Sequence, residues 1–213
     1  MLTPSGINAP TGGKQSSMNN KIKILSLTLS LWAATTAAQS KVNDYLHIPG
    51  PIQLNNTSYN LVWTSHPNNN YYKQEYLTAG DNLEKFKSLV TVDFLQGNFQ
   101  PRDLAGQKVE ELKKLKATNP MINYNVYEKN QEYILDFLIS QASADGKGIA
   151  IIERNVYRYH AVDNNGVKGL LLFAASQRAY GPEVTAFLKK LSVEKSKLVD
   201  AVATYKLPEV SIK

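Results

Sequence analysis

QEYILDFLISQASADGKGIAIIERNVYRYHAVDNNGVKGLLLFAASQR, residues 131–178, decides the fold of this chain. Three segments within it, 131–140, 148–162 and 168–178, are dense in β-branched and aromatic residues, the composition of half-buried strands. The connections SADGKG (143–148) and DNNG (163–166) are turn clusters too short for a crossover helix, so the three segments are expected to run antiparallel as a meander.

The flanking sequence extends this pattern. INYNVYE (122–128) precedes the first segment across a Lys129-Asn130 turn, adding a fourth strand. Further upstream, SYNLVWTS (58–65) and NYYKQEYLT (70–78) form a hairpin around HPNNN, and LVTVDFLQG (89–97) has strand composition. DNLEKFKSL (81–89) is expected to form a short helix capped by Asp81, with Glu84 in the capping-box position. QPRDLAGQKVEELKKLKATNP (100–120) is the clearest helix. Leu104, Val109, Leu112 and Leu115 follow helical spacing, Glu110 and Lys114 make an i, i+4 pair, and Pro120 ends it. Pro182 starts a second helical region over 183–205. The fold class read from this order is α+β, an antiparallel β-sheet meander covered by helices, with residues 39–213 as one domain.

Residues 21–41, KIKILSLTLSLWAATTAAQSK, have the form of a secretory signal. Lys21 and Lys23 precede an apolar run, and Thr36-Ala37-Ala38 supplies the small residues of a cleavage site. The apolar run is too short to span a bilayer, so removal after about Ala38 is expected, giving a periplasmic or secreted protein with no integral membrane segment in its mature part. A start at Met18 gives an ordinary signal, whereas residues 1–17 are a Gly-, Pro- and Ser-rich leader expected to be disordered.

The chain carries a net charge of +6, of which Lys14, Lys21 and Lys23 lie in the removable part, leaving +3 for residues 39–213. That modest and interspersed charge gives no footprint for nucleic acid. The absence of cysteine excludes a disulfide scaffold, a thiol nucleophile, a thiolate metal site and a lipid-bearing cysteine. His47, His66 and His160 have no metal-ligand spacing, Ser176 lacks the glycines of a nucleophile elbow, and SADGKG precedes no helix that would make it a phosphate loop. No metal or cofactor is expected.

Charges inside apolar strands are the candidates that remain. If Ser140 pairs with Ile149 and Val162 with Gly169, Asp136 faces Glu153 and Glu153 faces Arg178 in one row across three strands. Two adjacent carboxylates repel unless a cation or shared proton intervenes, and Arg178, with Arg154 or Arg158 nearby, supplies the cation. Such a row is a polar binding patch or an acid/base pair. The plainer alternative is a solvent-facing ladder worth about 0 to 1 kcal/mol per pair, and a one-residue register slip would scatter the row. Tyr71 and Tyr72, in the PNNNYY turn, are a second binding candidate because loops carry function. Trp63, between Val62 and Thr64, is expected to pack in the core.

The order LVTVDFLQGNFQPRDLAGQKVEELKKL, YNVYE, EYILDFLIS, ERNVYRYHAV, NNGVKGLLLFAASQR and VTAFLKKLSVEKSKL resembles the PsbP/Mog1/DcrB-like superfamily over roughly Tyr59 to Tyr205. The resemblance implies an α/β/α sandwich and a binding or assembly role, and supplies no shared catalytic set. The expected function is an exported, non-enzymatic binding or assembly module whose partner is a protein or small ligand of the cell envelope, with Asp136, Glu153, Arg178, Arg158, Tyr71 and Tyr72 as candidate contacts. The alternative is a small periplasmic hydrolase, or another enzyme, using Asp136 and Glu153.

Overall fold

The computed structural model describes residues 42–212 other than 165 and 195. The leader, the Met18 start and the cleavage site after Ala38 lie outside the described residues. Eight strands make one antiparallel sheet curled into a half-barrel, with three helices: β1 (Ile52–Leu54), β2 (Thr57–Asn68), β3 (Tyr71–Leu77), β4 (Ser88–Gln96), α1 (Pro101–Lys116), β5 (Asn123–Lys129), β6 (Glu132–Ala142), β7 (Ile149–Asn164), β8 (Val167–Tyr180), α2 (Val184–Val193) and α3 (Lys197–Thr204). The spatial order β1-β2-β3-β4-β8-β7-β6-β5 joins two meanders side by side through β4 and β8.

Turn chemistry sets the pairings. Asn130 and Gln131 both take positive φ, 53° and 63°, and close the two-residue hairpin that sets Lys129 opposite Glu132. Gly166, at φ 80°, lets the chain reverse so that Asn164 faces Val167 and Glu153 faces Arg178. The β6–β7 hairpin departs from the sequence expectation. Ser143 N–H donates to the Gly148 carbonyl at 2.9 Å and closes the loop, so Ile149 pairs with Ala142 and not with Ser140. A bulge between Gln141 and Ala142 then adds one more residue, and Asp136 stands opposite Val156. The shift from the expected register is odd, so Asp136 and Glu153 project from opposite faces of the sheet.

Each face has its own apolar cover. Ala105, Val109 and Leu112 of α1 pack on Val126, Leu135, Phe137, Tyr157, Tyr159 and Leu170. Leu198, Val199 and Val202 of α3, with Leu46 and Ile48 of the N-terminal arm, pack on Val92, Phe94, Ile134, Val156, Leu171 and Phe173 from the other side. Val184 at the start of α2 closes the end of that second side over Ile152 and Ala179. The arm is held through fully buried Gln74, whose Oε1 accepts from Leu46 N–H at 3.0 Å and whose Nε2 donates to the Tyr76 hydroxyl at 2.7 Å.

Three local expectations are corrected. Residues 81–87 form a loop: Asp81 Oδ2 accepts from the backbone N–H groups of Lys87 and Ser88 and from Thr78 Oγ1, which draws the far end of the segment back to its start. Leu83 is exposed while Phe86 is buried, so no apolar stripe supports a helix there. In α1, Glu110 pairs with Lys113 at 2.7 Å and not with Lys114. Trp63 follows a bulge after Leu61 and stands 38% exposed opposite Glu75, outside the core.

Candidate functional site

The strand YYKQEYL alternates sharply. Tyr72, Gln74 and Tyr76 turn toward the α3 side, and Tyr71, Lys73 and Glu75 toward the α1 side. Register carries the second set across the sheet. Lys73 faces Asp93 and Glu75 faces Thr91 on β4; Thr91 faces Ala174 on β8; and Ala174, Ser176 and Arg178 face Tyr157, Asn155 and Glu153 on β7. The small side chains of Ala174 and Ser176 lie in the middle of this row, between the long groups of β3 and β7.

Three ion pairs organise the α1 side. Lys73 Nζ lies 2.8 Å from Glu75 Oε1, Lys108 Nζ of α1 lies 2.9 Å from Glu111 Oε1, and Arg178 Nε donates to Glu153 Oε2 at 2.6 Å. The Arg178–Glu153 pair is recessed, with side chains 9% and 2% exposed, and its guanidinium lies 3.9 Å from the centre of the Phe86 ring. Tyr71 donates its hydroxyl to Asp93 Oδ2 at 2.9 Å, and Ser176 Oγ donates to Asn155 Oδ1 at 2.6 Å.

Burial pushes the Asp93 carboxyl up to about 6, against the lowering effects of the Lys73 cation and the Tyr71 hydroxyl. Burial works to lower Lys73, yet the Asp93, Glu75 and Glu153 carboxylates outweigh it and hold the ammonium above its usual value. Tyr157 is raised well above the ordinary phenol range by burial, reinforced by Tyr159, Glu153, Asp93 and Glu111. Lys73 on β3 and Glu153 on β7 have two strands between them and still feel each other's charge, as the curl of a half-barrel allows. Three buried polar atoms, Asp93 Oδ1, Glu153 Oε1 and Asn155 Nδ2, have no hydrogen-bond partner among the described residues, and all three belong to this side of the sheet.

Of the residues the sequence singled out, Glu153, Arg178 and Tyr71 come to the α1 side. Asp136, Arg158 and Tyr72 do not. Asp136 accepts a two-pronged bond from Arg154 at 2.8 and 3.1 Å on the α3 side, so the expected Asp136–Glu153–Arg178 row is broken by the β6–β7 register. Arg158 grips Glu132 and donates to the carbonyls of Val202 and Tyr205, tying α3 to the sheet. Tyr72 stacks on His66 at 4.1 Å and 9°. Lys73, Glu75, Asp93 and Asn155 were missed. Asp93 interrupts LVTVDFLQ as Asp136 interrupts YILDFLIS, so the same signal was present in β4.

A recess of about 140 Å³ lies on the α3 side between Tyr127, Glu132, Asp200 and Thr204. It is small for an organic ligand, and Glu132 is already engaged by Arg158 and His160. Among the described residues no three His, Cys, Asp or Glu side chains converge as metal ligands, and no helix is long and apolar enough to cross a membrane.

Fold and site together define an α+β protein built on a curled antiparallel half-barrel, with a charged and aromatic side beneath its longest helix. Within that class, a protein-family model matches residues 46–207, and the chain belongs to that family. No curated protein and no solved structure matches it.

Proposed function

We propose that the protein is a binding or assembly module of the cell envelope, and that its ligand contacts lie on the α1 side of the half-barrel. The observation that carries this reading is the convergence on one side of three buried polar atoms without partners: two acceptors, Asp93 Oδ1 and Glu153 Oε1, and one donor, Asn155 Nδ2. Buried polar atoms left unpaired cost about 1 to 3 kcal/mol each, and a bound molecule that answers them recovers that cost. Kinship with the PsbP/Mog1/DcrB-like superfamily belongs to the same proposal. It rests on the strand–helix–strand order, with α1 following the first four strands and two helices closing the chain. The enzymatic alternative built on Asp136 and Glu153 lacks geometry, because the two carboxylates occupy opposite faces.

Native mass spectrometry of the protein isolated gently from cell envelopes, with parallel crosslinking to capture a protein partner, tests the reading. A bound species lost on Asn155→Ala and Glu153→Gln supports it. A partner retained by those variants and crosslinked to the α3 side overturns it. Sequencing the N-terminus of the isolated protein tests export: a peptide from residues 2–14 in the mature protein would contradict removal of the leader.

A further inference from the structure

The recess on the α3 side lies between the β5–β6 hairpin, which supplies Tyr127, Lys129, Glu132 and Ile134, and the face of α3 that carries Asp200, Ala203 and Thr204. Its two flanks are held at a set separation. Arg158 grips Glu132 of the hairpin with Nε and a terminal nitrogen, at 2.8 and 3.1 Å, and donates to the Val202 and Tyr205 carbonyls at the end of α3. At about 140 Å³ the recess has room for roughly five water molecules, too little for an ordinary organic ligand and enough for an amino acid with a very small side chain.

Two opposite charges line this recess and do not meet. Lys129 stands directly across the hairpin from Glu132, the position in which a cross-strand ion pair is expected. Arg158 already neutralises the Glu132 carboxylate, and His160 takes a further bond on it at 2.7 Å. Lys129 is left without an ion-pair partner among the described residues, and so is Asp200 on the facing helix. A hard metal ion finds too few convergent oxygens here, a simple anion meets the Asp200 carboxylate as well as the lysine, and a simple cation meets the lysine as well as the carboxylate. A molecule that carries both charges answers both ends. Ile134 and Ala203 add an apolar patch of the size a methyl group needs.

We propose that this recess binds a small zwitterionic α-amino acid of the size of glycine or alanine, with its carboxylate on Lys129 and its ammonium on Asp200. Bound there, the ligand bridges the β5–β6 hairpin to α3 beside the Arg158 latch. The site is separate from the contacts proposed on the α1 side and does not depend on them. So small a ligand makes few contacts, and its dissociation constant is expected to be on the order of millimolar.

Amide NMR of the full chain titrated with alanine tests the assignment, with propionate and ethylammonium as half-ligands that each lack one charge. Saturable shifts centred on residues 127–134 and 200–204 are expected with alanine, and a response about tenfold weaker or less with either half-ligand. Lys129→Ala and Asp200→Asn, both at exposed positions, should each weaken alanine binding about tenfold and keep the wild-type thermal midpoint. Glu153→Gln and Asn155→Ala should leave alanine binding unchanged, so the two sites stand or fall separately. Equal binding of propionate or of ethylammonium, undiminished alanine binding by either recess variant, or no saturable shift at these residues overturns the assignment.

Discussion

Asp93 destabilises the fold whenever it is ionised. Its folded pKa of about 6 lies above the ordinary 3.8, so the native state holds the proton more tightly than the unfolded chain. The stabilising contribution is therefore complete below about pH 3.8 and is lost as pH rises through 6. The full swing is at most about 3 kcal/mol, of which about 1 kcal/mol falls between pH 7 and 5. Asp93→Asn keeps the Tyr71 contact without the charge, so its thermal midpoint at pH 7.5 should exceed wild type by several degrees and the difference should shrink toward pH 4. Differential scanning calorimetry of the two proteins across pH checks both the sign and the window. Arg178 behaves oppositely. Its removal leaves the 2% exposed Glu153 side chain with no ion-pair partner, a loss of about 3 to 5 kcal/mol for Arg178→Ala. Adding Glu153→Gln should return part of it, because the two side chains couple directly. Chemical denaturation of both variants measures the recovery, and none would mean that the packing of Arg178 on Phe86 dominates.

Helix α1 is anchored by few residues, which makes its contribution easy to test. Leu112 is fully buried whereas Leu115, one turn away, is 41% exposed. Leu112→Ala should cost about 2 to 5 kcal/mol and Leu115→Ala within about 0.5 kcal/mol, read from urea midpoints. Helical spacing alone gave these two leucines equal standing; the rotation of the helix on the sheet separates them. The strands were more legible. Alternation and turn residues located β2 to β8, and DNNG set the β7–β8 register because a tight turn leaves little freedom. The longer SADGKG loop closes through Ser143 and Gly148, and the bulge at Ala142 has no signature in residue type, so the β6–β7 register was not readable. That is why Asp136 did not meet Glu153. A charge within an apolar strand marks itself, but its partners depend on every register between them, and β4 and β7 are joined only through β8.

At the scale of the molecule, the α3 side is secured by polar latches as well as apolar packing. Arg158 donates to the Val202 and Tyr205 carbonyls at 3.1 and 2.8 Å, at the end of a helix where carbonyls lack intrahelical partners. Arg158→Gln should raise amide hydrogen exchange about tenfold in residues 197–212 and leave residues 101–116 unchanged, as measured by mass spectrometry. An equal rise in α1 would mean that the two sides open as one unit.

The two ends of the described chain also meet on that side. Ser211 N–H donates to the Leu46 carbonyl at 3.2 Å, and the His47 ring pairs with the Ser211 carbonyl at 2.8 Å. The described segment is thus nearly a closed ring. A circular permutant linking 212 to 42 through about six flexible residues, and cut in the exposed loop at 144–147, should retain every strand pairing and unfold close to wild type. Its new ends would emerge at the tip of the β6–β7 hairpin, so a reporter could be attached there while residues 42 and 212 are joined.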